Sequence, residues 1–289
     1  MKWRLSIFLL CMAFQVGLAG IEFTTLNQNL QEARSPFNYD LQVKMIKGES
    51  ENQNVLLLLH GMGGDNTIAD ILHSYGIPDH LVSFNFPDAS YREGFTDPRT
   101  TNFGSIKEVL PVLYLLKKLV LDSRETKINM YGFSAGGGAL VNVIGVLNTN
   151  KYDSELKKIG IGDLEKKTIL EALQRGIVIL DAPLKSIREL ITSRGNSPTL
   201  AAFLHNYKKN DFEPLDALKN WQGLKMQVLL YFENPDHVLS NLDDNLFIAA
   251  IKKYNSKGNV QVFIGRNGGH LSFHKELWQA YQEKELILR

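Results

Sequence analysis

Six short apolar runs, each separated from the next by a stretch long enough to hold a helix, constrain this 289-residue chain more than any other feature. They are Val55–Leu59, Leu81–Phe86, Ile128–Tyr131, Ile177–Leu180, Val228–Phe232 and Val260–Ile264. A strand that is apolar on both of its faces must be covered on both, which is the situation of a parallel sheet between two helix layers. The alternation therefore predicts an α/β protein with a mostly parallel central sheet flanked by helices. Tyr39–Ile46 instead alternates apolar and polar residues and is expected to be a half-exposed strand near the sheet edge.

The helices are readable from their ends. Ser105 with Glu108 three residues on forms a capping box before an apolar stretch reaching Leu121, in which Pro111 predicts a kink or a later start. Asp163–Arg175 has helical spacing and stops at Gly176, where a left-handed cap is expected. Leu140–Leu147, Leu242–Tyr254 and Leu271–Lys284 complete the set. Residues 20–289 read as one domain, with an insertion at Leu184–Leu224 that does not continue the sheet and is expected to form a small helical lid.

The first nineteen residues read differently. Lys2 and Arg4 precede an apolar run from Leu5 to Phe14, and Gly17 and Ala19 offer small residues for a cut after Ala19. This is the layout of a cleavable signal peptide and implies a secreted or periplasmic protein. The apolar run is too short for a spanning helix, so no transmembrane anchor is expected in the mature chain. The single cysteine, Cys11, lies inside this leader, which excludes disulfides and cysteine-bound metal from the mature domain. The 32 basic residues against 31 acidic ones speak against a nucleic-acid partner, which selects for a basic excess.

The chemistry is expected at three strand ends. Gly132-Phe133-Ser134-Ala135-Gly136 joins the strand at Ile128–Tyr131 to a helical stretch. A serine on so tight a turn projects its hydroxyl beyond the sheet, and small neighbours are needed where backbones approach closely. His60-Gly61-Met62-Gly63-Gly64 follows the strand Val55–Leu59. The backbone N–H groups of Met62 and Ala135 are the expected donors to an oxyanion. His60 itself is expected to brace its loop.

A general base must lie beyond a later strand. His270, in Gly268-Gly269-His270 after Val260–Ile264, is so placed, whereas His73, His80, His205 and His274 read as surface or helix-face residues and His237 as a solvated neighbour of the acid. Asp236, in the turn after Val228–Phe232, is the leading acid to orient that imidazole, with Asp181 as its rival and Glu233 a weaker one.

In the order Ser134, Asp236, His270, with the glycine-rich stretch upstream, the chain resembles the α/β-hydrolase superfamily over about residues 39–285. The resemblance implies an eight-stranded, mostly parallel sheet, no cofactor and no metal. It implies a serine hydrolase cleaving a small-molecule or lipid ester through an acyl-enzyme. Thioester, amide or peptide hydrolysis and acyl transfer are alternatives on the same triad, and a non-catalytic binding protein is an alternative of another class. Glu233 departs from the pattern, since a glycine is usual three residues before the acid. Tyr91, Phe95 and Phe103 with Arg92 and Arg99 in one loop, and Phe203, Tyr207, Phe212 and Trp221 in the insertion, are candidates to shape the substrate pocket, the alternatives being that the aromatics only pack the lid onto the body and that the arginines are solvated surface charges.

Overall fold

The structure, a computed structural model, describes residues 36–37, 41–48, 54–61, 64–86, 105–122, 127–186, 213–234, 236, 239, 241, 243–266, 269–270 and 274–287. The expected leader, the expected oxyanion donor Met62, the loop bearing Tyr91 to Phe103 and the insertion residues 187–212 lie outside the described residues, as do His205 and His237.

The elements follow in chain order as β1 (Lys44–Ile46), β2 (Val55–Leu59), α1 (Ile68–Ser74), β3 (His80–Ser83), α2 (Ile106–Asp122), β4 (Ile128–Phe133), α3 (Ala135–Leu147), α4 (Asp153–Lys158), α5 (Asp163–Arg175), β5 (Ile177–Asp181), α6 (Pro214–Ala217), β6 (Gln227–Glu233), α7 (Asp244–Tyr254), β7 (Asn259–Gly265) and α8 (Lys275–Ile287). The described strands form one seven-stranded sheet in the order β1-β3-β2-β4-β5-β6-β7. Every pairing is parallel except β1 with β3. From β2 the chain steps to β3 on one side, then crosses back to β4 on the other. The carboxyl ends of β2 and β4 flank this reversal, where open α/β sheets form their binding crevice.

Alternate residues of each buried strand feed opposite faces of the sheet. Val55, Leu57 and Leu59 of β2 join Met130, Val178, Val228 and Leu230 in a core shared with α2, α3, α5 and α7. Leu56 and Leu58 point the other way, with Ile179, Leu229 and Tyr231, against α1 and α8. This explains why the runs carry no polar alternation. Helix α8 is tied down at the amino ends of the strands. The Asn129 amide donates to Tyr281 Oη and to Glu285 Oε1, and Lys127 Nζ lies 2.9 Å from Glu285 Oε1.

The structure refines the sequence reading in three places. Gly176 ends α5 in extended backbone (φ −92°, ψ −174°), not a left-handed cap. Glycine is required there because a Cβ would fall 1.9 Å from the Ile128 carbonyl oxygen. Helix α2 begins at Ile106 and runs through Pro111 without a later start. The missing N–H falls near the amino end, where only the single bond to the Lys107 carbonyl is forgone. Trp221, one of the insertion's aromatic residues, packs onto the body of the domain. It is fully buried and donates Nε1–H to the Val141 carbonyl of α3, and the stretch 214–221 packs on the body of the domain.

Candidate active site

Ser134 stands between β4 and α3 with φ 52° and ψ −118°, a backbone conformation that a side chain with a Cβ rarely adopts. Such a residue costs of order 1–3 kcal/mol and persists only where its surroundings fix it. Here the Ser134 N–H donates to the Asp181 carbonyl of β5 at 2.9 Å. Its own carbonyl accepts from Leu184 at 2.8 Å and from Gly137 at 3.0 Å. The glycines on either side are needed for the same turn. A Cβ at Gly136 would fall 2.3 Å from the Leu59 carbonyl oxygen, and one at Gly132 would fall 2.7 Å from the Gly136 carbonyl oxygen.

The structure brings three of the sequence-derived residues into one line. Ser134 Oγ lies 2.9 Å from His270 Nε2, and His270 Nδ1 lies 2.7 Å from Asp236 Oδ2. All three side chains are withdrawn from solvent, and the Phe133 ring packs on the His270 imidazole with centroids 5.1 Å apart. With Nδ1–H donated to the carboxylate, Nε2 has its lone pair toward the serine hydroxyl, the tautomer that proton abstraction needs. The other oxygen of Asp236 accepts the Leu239 N–H at 2.9 Å. A residue that sequence reasoning missed braces this turn: Asn241 Oδ1 accepts the Asp236 N–H, and its amide donates to the Glu233 carbonyl and to Asp244.

Ala135 is the first residue of α3, so its N–H is one of the donors that a helix start leaves without an intrahelical partner. The stretch after β2 meets the serine directly, since a Cβ at Gly61 would lie 3.1 Å from that of Ser134. His60 is buried and braces that loop. Nδ1 lies 2.8 Å from the Gly61 carbonyl oxygen and Nε2 accepts the Phe86 N–H at 3.3 Å. Burial holds its pKa below the ordinary histidine value, which suits a neutral ring serving as both donor and acceptor.

The rival acid faces elsewhere. Asp181 ends β5 fully buried, accepts the Tyr131 hydroxyl at 2.8 Å and looks toward His274 Nε2 at 3.5 Å. Glu233 accepts the Tyr231 hydroxyl at 2.6 Å. His274 and His80 are buried, and neither sits on a helix face or the surface as expected: His80 is on β3 and His274 lies before α8. His274 stacks on Tyr231 just before α8, and His80 accepts the Gly48 N–H at 3.0 Å. Their partners sit 43 and 32 residues away and leave no local periodicity in the sequence. His73 is exposed, as expected.

Among the described residues, no group of three or more His, Cys, Asp or Glu side chains is arranged to hold a metal ion, and no helix is long and apolar enough to cross a membrane.

No family model matches the chain, and no curated protein matches it. Solved structures do. Esterase B from Lactobacillus rhamnosis shares 13% identity with a TM-score of 0.57, over 92% of this chain and 91% of that one. A lipase/esterase from Lactobacillus plantarum shares 11% identity with a TM-score of 0.57, over 86% of this chain and 94% of that one. An acylaminoacyl peptidase from Pyrococcus horikoshii shares 15% identity with a TM-score of 0.55, over 93% of this chain but 43% of that one. At such identities the likeness is one of fold, and the fold is that of the α/β-hydrolases.

Proposed function

On this α/β-hydrolase fold, we propose that the chain is an exported serine hydrolase that cleaves a carboxylic ester through an acyl-enzyme. The observation that carries the reading is the unbroken line Ser134–His270–Asp236, with its serine held at positive φ at the head of α3. A glycine-rich turn without catalytic use has no need of a strained serine aligned with an imidazole and a carboxylate. The esterases that share the fold support an ester as the bond cleaved. The signal-like leader supports export.

In this reading His270 Nε2 takes the Ser134 proton as Oγ bonds to the substrate carbonyl carbon and the C=O pair moves onto oxygen. The N–H groups of Ala135 and Met62 receive that oxyanion, each contributing about 3 kcal/mol to the transition state. Asp236 holds the imidazolium in place. The imidazolium then protonates the departing alkoxide as its bond to carbon breaks, leaving the acyl group esterified to Ser134 Oγ. Water, deprotonated by the same nitrogen, attacks the acyl carbon and frees Oγ, which recovers its proton.

The test is a panel of p-nitrophenyl esters of increasing acyl length, with thioester and anilide analogues, offered to the wild type and to Ser134→Ala. Ester turnover that exceeds anilide turnover and disappears in the variant is expected. Turnover that survives Ser134→Ala would overturn the reading.

A further inference from the structure

One short segment touches both ends of the catalytic line. Beyond β5 the chain passes Ala182, at φ 42°, and Pro183 to reach Leu184, Lys185 and Ser186. The Leu184 N–H donates to the Ser134 carbonyl at 2.8 Å, so the segment's backbone is bonded to the turn of the nucleophile. Its next two side chains reach the start of α7, just past the turn that carries the acid. Lys185 Nζ lies 2.7 Å from Asp244 Oδ1, and the Ser186 hydroxyl donates to Asp243 Oδ2 at 2.6 Å.

These contacts are made away from water. Lys185 is only 2% exposed, Ser186 and Asp243 are buried beside it, and the ammonium sits 5.0 Å from the centre of the Phe232 ring of β6. Moving both charges of an ion pair out of water offsets most of their attraction, so the pair is poor evidence for net stability. What it does hold is a geometry.

From Asp244 the connection reaches the triad through one residue. Its other oxygen, Oδ2, accepts from the Asn241 amide at 2.8 Å, and the same amide nitrogen donates to the Glu233 carbonyl at 2.8 Å. With both amide hydrogens engaged, the amide plane is set and Oδ1 is turned to accept the Asp236 N–H at 3.3 Å. A carboxylate that meets the ammonium with one oxygen and the amide with the other can do both in only a narrow range of orientations. Lys185 therefore acts on the acid's turn through Asp244 and Asn241, while the residue before it holds Ser134.

We propose that Lys185 and Ser186 are positioning residues that fix the span between Ser134 and Asp236, into which His270 must fit. The imidazole makes bonds of 2.9 and 2.7 Å at its two nitrogens, and a ring of fixed width keeps both only while the hydroxyl and the carboxylate stay in register. A displaced acid turn would lengthen the Nδ1 bond first. The Lys185 carbonyl also accepts the Leu215 N–H at 3.0 Å, which ties the chain on both sides of residues 187–212 to the same point. The inference rests on the serine-hydrolase reading for its consequence in catalysis.

The experiment uses the full-length protein. Lys185→Met keeps the length of the stem and removes the charge. Ser186→Ala removes one hydroxyl and carries the test if Lys185→Met fails to fold, as judged by circular dichroism. Each is made in the wild type and in Asp236→Asn, and turnover of one p-nitrophenyl ester is followed. We expect kcat to fall about tenfold in Lys185→Met and about threefold in Ser186→Ala, with KM within about twofold of the wild type. In Asp236→Asn, where no carboxylate remains to be positioned, both substitutions should change kcat by less than about twofold. A folded variant with wild-type kcat would overturn the proposal. So would a loss as large in Asp236→Asn as in the wild type, because it would reveal an effect on the fold and not on the acid.

The Nδ1–H of His270 gives a readout that does not need turnover. Held to Asp236 and shielded from water, it should resonate far downfield in the proton NMR spectrum of the wild type, and move upfield or broaden in the variants. An unchanged resonance in the variants, or a wild type that lacks it, overturns the proposal. A wild type that turns over no ester counts against the hydrolase reading alone, and the resonance then decides this one.

Discussion

The N–H of Ser134 is held by the carbonyl of Asp181 at 2.9 Å, which fixes the amide of a residue at φ 52° to the neighbouring strand. The bond lets β5 hold a conformation that the serine would not adopt alone. It also relates the head of α3 to the strand end that carries the second acid.

Replacing Ser134 by glycine removes the side chain that makes this φ costly. Ser134→Gly should abolish turnover while its unfolding free energy stays within about 1 kcal/mol of the wild type or rises above it. Urea unfolding followed by circular dichroism measures this, and a loss of several kcal/mol would show that the turn is not strained.

Asp236 and Asp181 are told apart by their neutral isosteres. Asp236→Asn leaves the turn in place but removes the acceptor of His270 Nδ1–H, so kcat/KM should fall by about three to four orders of magnitude. Asp181→Asn should cost less than about tenfold at the pH plateau, since it touches His274 and Tyr131 and not His270. Equal losses, read from initial rates on one ester, would contradict the assignment.

The reach of the sequence is clearest at these residues. The turn around Ser134 was legible because both of its glycines answer a local demand, the approach of Leu59 and Gly136 backbone to within 2.7 Å of any Cβ. The strands were legible because burial on both faces leaves unbroken apolar runs. Choosing Asp236 over Asp181 was not a local matter, because each stands just beyond a strand and only the packed sheet decides which histidine it meets. His274 was misread as a surface residue for the same reason. Asn241 was not singled out, since two of its three partners are backbone groups of the turn and the third, Asp244, is a common neighbour at a helix start.

Close backbone contact makes a second glycine a sharp probe. Gly136→Ala would drive a methyl group into the Leu59 carbonyl, which cannot move without distorting β2. A destabilisation of about 3 kcal/mol with loss of activity is expected. An alanine variant that melts like the wild type would mean that α3 sits farther from β2 than described.

Stability should depend on pH in a way that single substitutions can dissect. Burial lowers the pKa of His60, His80 and His274, the last from 6.5 to about 4. The unfolded chain therefore binds more protons at these sites, and the stability they confer above pH 6.5 is lost as pH falls toward their folded values. Asp181, raised from 3.8 to about 7, acts in the opposite sense, its stabilisation being complete at low pH and lost as pH rises through 7. His274→Gln removes one of the three histidine contributions, so its melting temperature should fall less than that of the wild type between neutral pH and about pH 5. A steeper fall in the variant would contradict the buried, neutral state of His274.

The central claim is that Ser134 is a nucleophile activated by His270. It is met most directly by treating the folded, full-length protein with a fluorophosphonate and locating the adduct by peptide mass spectrometry. The account predicts one phosphonylated peptide, the one holding Ser134, absent in Ser134→Ala and formed at least about a hundredfold more slowly in His270→Ala. A folded protein that does not react, or that carries its label on another residue, would contradict it.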